Sequence, residues 1–233
     1  VFQAEDGIRA YDVTGVQTCA LPIFDGQDSV IPTSIAGINN FWVWDDMYGL
    51  ETRDVPSAVF DDVMAMYYAA AALATDPQNE SAMSIFVASN LRRDRELSGE
   101  EDIVYGNLAY SPEFYATVFG PEVASDVLRI ALQRGDTPLA HDAIAALGRT
   151  AGATAVLTGS EQPLVKAMFY PDRRVQYESA MTIASTLPTI DFEDSYRVVP
   201  LLAAAVRSGD SKYAIIVSES SGARSRISTS LEL

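Results

Sequence analysis

The chain has 233 residues and a formal charge of −16, from 32 acidic and 16 basic side chains. This balance argues against nucleic-acid binding, which requires a basic stripe, and equally against an anionic membrane surface. The longest uncharged apolar run, residues 63–74, is shorter than the roughly 20 residues that cross a bilayer. It predicts a buried helix and no membrane span.

Residues 2–23 (FQAEDGIRAYDVTGVQTCALPI) resemble the translation of a sequencing-adapter oligonucleotide and show neither helical nor strand periodicity. We therefore expect residues 1–23 to be unstructured, and we exclude them from fold prediction. The only cysteine, Cys19, lies in this segment, so the sequence predicts no disulfide framework elsewhere. Because the segment replaces the native N-terminus, the localisation is left open between the cytoplasm and export.

Residues 24–56 predict an irregular or helical lead-in, since Pro and Gly interrupt their pattern. Residues 41–44 (Phe-Trp-Val-Trp) are the richest aromatic cluster of the chain. Two interpretations are open: a clamp for a ligand, or rings that close the open end of a helical stack.

Residues 57–97 predict a helical hairpin. Asp61 and Asp62 favour the positive end of a first helix, and Asn79 favours the N-cap of a second. The turn between these helices, Asp-Pro-Gln-Asn, resembles the junction between tetratricopeptide repeats. The hairpin is therefore predicted to be tetratricopeptide-like.

Residues 98–210 contain a repeated helical pattern. The segments 127–148 and 164–187 each combine a short apolar helix, a turn with an Asp, and a second apolar helix, and Asp172 follows Asp136 by 36 residues. A third copy of the first helix occupies residues 198–210. The matched pairs are Leu128 with Leu164, Ala131 with Ala167, Leu132 with Met168, Leu139 with Val175, Ile144 with Ala180, and Leu147 with Ile183.

The turn Pro171-Asp172-Arg173-Arg174 resembles that of HEAT repeats, which commonly carry an Asp after Pro and then a basic residue. The resemblance implies an all-α fold, an α-solenoid of antiparallel helical hairpins. In the order of its segments, the chain also resembles large bacterial HEAT-repeat proteins, some of which carry a receiver-like domain after the helices. Residues 211–233 fit the start of such a truncated α/β domain, because residues 213–217 predict a short strand.

No nucleotide-binding, serine-nucleophile or zinc motif occurs in the sequence, so we predict no cofactor, no metal site and no enzymatic activity. The single histidine, His141, lacks a His or Cys partner at metal-binding spacing, and we expect it to pack or face solvent. The acidic groups around Asp45, Glu100 and Asp191 are interpreted as solvated loop charge rather than as calcium ligands.

The sequence therefore predicts a non-catalytic scaffold that presents a concave surface to a protein or peptide, possibly a basic one. The residues predicted to contact this partner are Arg174, Gln176, Tyr177, Ala140 and His141. One alternative is a regulatory helical module coupled to a C-terminal receiver-like α/β domain. Another is an enzyme built on a helical-repeat scaffold.

Overall fold

The computed structural model of the chain describes residues 20–26, 37–45, 47–97, 104–105, 110–150, 162–189 and 191–208. These residues are mostly helical, with one two-stranded sheet. The strands are β1 (Ile38–Asp45) and β2 (Gly49–Pro56). The helices are α1 (Phe60–Thr75), α2 (Glu80–Leu97), α3 (Pro112–Val118), α4 (Pro121–Arg134), α5 (Thr137–Thr150), α6 (Pro163–Ala167), α7 (Arg173–Ser185) and α8 (Val198–Ser208).

The antiparallel hairpin β1–β2 corrects the expectation of an irregular or helical lead-in. Asp45 pairs with Gly49 at its turn, and the Asp45 Oδ1 accepts hydrogen bonds from the backbone N–H groups of Met47 and Tyr48. Phe41 is buried against a small cluster that includes Val55 and Leu97. The burial of this ring fixes which face of the hairpin meets the helices.

Helices α1 and α2 form the predicted hairpin and pack against each other. The Asn79 Oδ1 accepts from the Ala82 N–H at 3.0 Å, as expected of an N-cap. Helix α1 begins at Phe60 after a 3-10 turn, and Val59 at its N-cap makes no side-chain capping bond. Asp62 lies in the first turn of α1, as expected, and its side chain is buried.

Helices α4 and α5 are joined by a tight turn at Gly135, whose φ of 72° is left-handed and suits glycine. Asp136 then caps α5 through the Leu139 N–H, and Asp172 caps α7 through the Arg174 and Val175 N–H groups. The apolar positions matched across the repeat are buried in both copies, except for Leu132, which is partly buried. The positions matched between the two segments are therefore buried in nearly the same pattern.

Three helices, α2, α4 and α6, pack side by side in the order α2–α4–α6. Helices α5 and α7 contact each other, and they pack on α4 and α6 respectively. Helix α8 packs on α7, while α3 packs on α2 and α5. Among the described residues, no helix is long and apolar enough to cross a membrane.

The N-terminal turn, defined as residues 20–26, corrects the boundary predicted for the unstructured segment. Residues 20–24 are helical, and Ala20, Ile23 and Phe24 are buried in the main core. The end of the adapter-like segment is therefore part of the packed structure. The predicted strand at residues 213–217 and the acidic loop at residues 98–102 lie outside the described residues.

Candidate polypeptide-binding site

Two neighbouring clefts flank helix α4. The first, of about 400 Å³, lies between the N-terminal turn, α2 and α4. The second, of about 290 Å³, lies between α4, α6 and the turn that leads to Pro171. Arg129 and Gln133 line both clefts. We call the two clefts together the α4 groove, because Arg129 and Gln133 line both.

The α4 groove combines apolar side chains with charges of both signs. Ile85 and Ile130 contribute apolar surface to the first cleft, and Phe169 and Tyr170 contribute it to the second. The charged lining residues are Asp25, Asp126, Arg129, Arg134 and Lys166. In a chain of charge −16, this lining is locally rich in cations. Such a surface fits an amphipathic segment rather than a purely basic one.

Tyr170 links the second cleft to helices α5 and α7. Its hydroxyl lies 3.0 Å from the Thr137 Oγ1, and its backbone carbonyl accepts a hydrogen bond from the Gln176 Nε2 at 2.6 Å. Arg197 places its guanidinium 4.0 Å from the ring centre of Phe169 and donates to the Met168 carbonyl. These contacts hold the aromatic wall of the cleft in place.

The residues predicted from the sequence to contact a partner lie on α5 and α7 rather than in the α4 groove. Ala140 is fully buried, so its side chain is not accessible to a partner in this structure. Gln176 is half-buried, and its side-chain amide is hydrogen-bonded to Tyr170. Tyr177 is half-buried and Arg174 is exposed.

Glu178 joins two of the predicted residues into one polar cluster. Its Oε1 accepts from the Arg174 Nε at 3.0 Å, and its Oε2 lies 2.5 Å from the His141 Nδ1. His141 is half-buried and has an acidic partner that the sequence did not predict. Glu178 follows His141 by 37 residues, which is one more than the repeat period. The repeat register could have indicated this contact between α5 and α7.

A second polar cluster, which the sequence did not predict, links α1, α2 and α5. Arg92 lies 3.7 Å from Asp62 and 3.8 Å from Asp136, and Arg95 lies 3.7 Å from Asp136 and 2.9 Å from Asp142. Burial raises the pKa of Asp62 to about 7, although Arg92 opposes this shift. Burial likewise raises the pKa of Asp142. Neither cleft is lined by Asp62, and the cluster lies between α1, α2 and the start of α5.

The aromatic cluster on β1 is divided between the core and the surface. Phe41 is buried, whereas Trp42 and Trp44 are exposed. The two Trp rings therefore do not close a helical stack. Within the described residues, no group of three or more His, Cys, Asp or Glu side chains has an arrangement that could hold a metal ion.

No protein-family model, curated protein or solved structure matches this chain.

Proposed function

We propose that the chain is a non-catalytic helical-repeat scaffold that binds a polypeptide segment in the α4 groove. The observation that carries this proposal is that the two clefts beside α4 share the lining residues Arg129 and Gln133. Packed helices are about 8–10 Å apart, so a path across α2, α4 and α6 measures roughly 20 Å. An extended chain of about six residues has this length.

The groove suits an amphipathic segment because apolar walls alternate with charged side chains along it. Leu132, Phe169 and Tyr170 would receive apolar side chains in the second cleft, while Asp126 and Arg129 would orient polar ones near the junction. Stacked hairpins preorganise such a surface, since each helix is fixed by its neighbours before the partner arrives. We also propose that the helical hairpins belong to an α-solenoid of HEAT type.

The test is selection of peptides from a random library against the full chain, followed by affinity measurement with variants. Gln133→Trp would fill the junction of the clefts, so we expect it to weaken binding at least tenfold. Gln78→Trp, at an exposed position in the turn before α2, is the matched control and should bind normally.

Variants of the residues predicted from the sequence to contact a partner distinguish binding at α5 and α7 from binding in the α4 groove. Arg174→Ala and Tyr177→Ala should leave the affinity unchanged if the groove is the binding site. Loss of binding in these variants, with normal binding by Gln133→Trp, would assign the partner to α5 and α7 instead. A library that yields no peptide would contradict the proposed function.

A further inference from the structure

The N-terminal turn is seated on the helices by one aromatic side chain. Phe24 is 3% exposed, and its turn is closed by hydrogen bonds from the Asp25 N–H to the Leu21 carbonyl and from the Gly26 N–H to the Ile23 carbonyl. Phe24 directly follows the adapter-like residues 2–23. Phe24 and Asp25 therefore lie outside that stretch.

Two arginines from different helices converge on Phe24. The guanidinium carbon of Arg134 lies 4.1 Å from the centre of the ring, and that of Arg92 lies 4.8 Å from it. Both arginines also donate to the Phe24 carbonyl at 3.2 Å. Arg134 forms an ion pair with the next side chain, Asp25. The pair of arginines thus contacts an aromatic ring, its carbonyl and the following carboxylate.

The body of the protein holds Arg92 independently of the turn. Arg92 is paired with Asp62 on α1 and with Asp136 at the start of α5. Arg134 is in the last turn of α4, next to the fixed Gly135 corner. Arg92 therefore keeps its acidic partners when the turn leaves, and one of them, Asp136, also attracts the Arg134 guanidinium electrostatically.

We propose that Arg92 and Arg134 form a docking site for a polypeptide segment in which an aromatic residue is followed by an acidic one. The N-terminal turn occupies this site in cis. The site adjoins the first cleft of the α4 groove and shares Arg134 with it, but it recognises a different set of groups: an aromatic ring, a backbone carbonyl and a carboxylate. A tethered occupant has a high effective concentration, so an external segment competes only when the turn is weakened.

The experiment measures fluorescence anisotropy of a labelled synthetic peptide of residues 20–26 (ALPIFDG) with the full-length chain. The Phe24→Ala variant should bind this peptide at least tenfold more tightly than the unaltered chain, because its own turn no longer competes. Adding Arg134→Met to this variant should reverse the gain. Tyr196→Ala, at a position 72% exposed and remote from the turn in sequence, is the control and should bind like the unaltered chain.

Altered peptides test the recognition chemistry. Replacing the peptide's Phe by Ala, or its Asp by Asn, should weaken binding to the Phe24→Ala chain at least tenfold. If Phe24→Ala does not fold, Asp25→Asn is the variant that tests the proposal. It keeps the buried ring, and it should raise the affinity of the chain for the peptide about threefold. Equal binding by the unaltered chain and by the folded variants, or equal binding of the peptide without Phe, would overturn the proposal.

Discussion

Ile183 is the residue at which the repeat packing is most easily tested. It is fully buried on α7, at the position that matches Leu147 on α5. We expect Ile183→Ala to lower the free energy of unfolding by about 2–5 kcal/mol, because removing a buried side chain leaves a cavity. His141→Ala should cost about 1 kcal/mol or less, since it removes one partly exposed pair with Glu178.

Urea unfolding followed by circular dichroism measures both values. Met181→Ala, an exposed position on the same helix, is the control and should change stability by less than about 0.5 kcal/mol. If His141→Ala proved costlier than Ile183→Ala, the repeat register would be wrong.

The raised pKa of Asp62 predicts how the stability of the protein depends on pH. Its pKa is raised by burial from 3.8 to about 7, so the folded chain holds a proton there that the unfolded chain loses above about pH 4. The contribution of Asp62 to stability therefore falls as pH rises from about 4 to about 7, by up to about 4 kcal/mol.

The variant Asp62→Asn should remove this decline, and it should be more stable than the unaltered chain at pH 8. Chemical unfolding at several pH values measures the difference between the two proteins. Asp94→Asn, at an exposed position on α2, serves as the control and should follow the unaltered chain. Parallel pH profiles for Asp62→Asn and the unaltered chain would show that Asp62 is ionised throughout.

At the scale of single elements, the two helix caps of the repeat should differ in strength. Asp172→Ala removes the N-cap of α7 and should cost about 1 kcal/mol. Asp136→Ala removes the equivalent cap of α5 and also the carboxylate that Arg92 and Arg95 share. We expect it to cost at least about 1 kcal/mol more, because the partly buried cations lose a partner. Thermal or urea unfolding of the two variants gives the comparison, and equal costs would show that the shared carboxylate adds nothing.

The N-terminal turn predicts the effect of truncation. A chain that begins at Phe24 lacks Ala20 and Ile23, and both of these are buried. Burial of an Ile side chain contributes about 1.5–3 kcal/mol, and each kcal/mol corresponds to about 2–4 °C in a protein of this size. The chain from Phe24 should therefore melt several degrees below one that begins at Thr18. Identical melting would restore the expectation that residues 1–23 are dispensable.

For the whole molecule, the net charge predicts how the association rate of a partner depends on salt. A chain of charge −16 attracts cationic segments over distances that salt shortens, from about 10 Å at 0.1 M to about 3 Å at 1 M. The association rate of a cationic amphipathic peptide should fall steeply with salt, while the dissociation rate changes less. Stopped-flow binding at two salt concentrations measures both rates, with an uncharged peptide of equal length as control. Preferential capture of nucleic acid would contradict the prediction.

The sequence predicted those parts of the fold that depend on local chemistry. Asp172 and Asn79 cap helices as expected, and the repeat register placed Ile183 in the core. Contacts between distant residues were missed, because no local pattern reports that Arg92 meets Asp62. The hairpin was missed because Trp42 and Trp44 face outwards, which hides the alternation of polar and apolar residues that indicates a half-buried strand. Asp45 and Gly49, at the turn, were the residues that could have indicated the hairpin.

The division of the aromatic cluster on β1 determines what a spectroscopic experiment on this protein will report. Both tryptophans of the chain, Trp42 and Trp44, are exposed on β1. The hairpin's buried residues, together with residues at the start of α1 and the end of α2, form a cluster separate from the main core. Tryptophan emission will therefore follow the hairpin, while the far-ultraviolet circular dichroism signal will follow the helices. If the two clusters unfold separately, the two signals will give different midpoints on one sample. An unfolding curve recorded by fluorescence alone would then describe the hairpin and not the stability of the helical repeats.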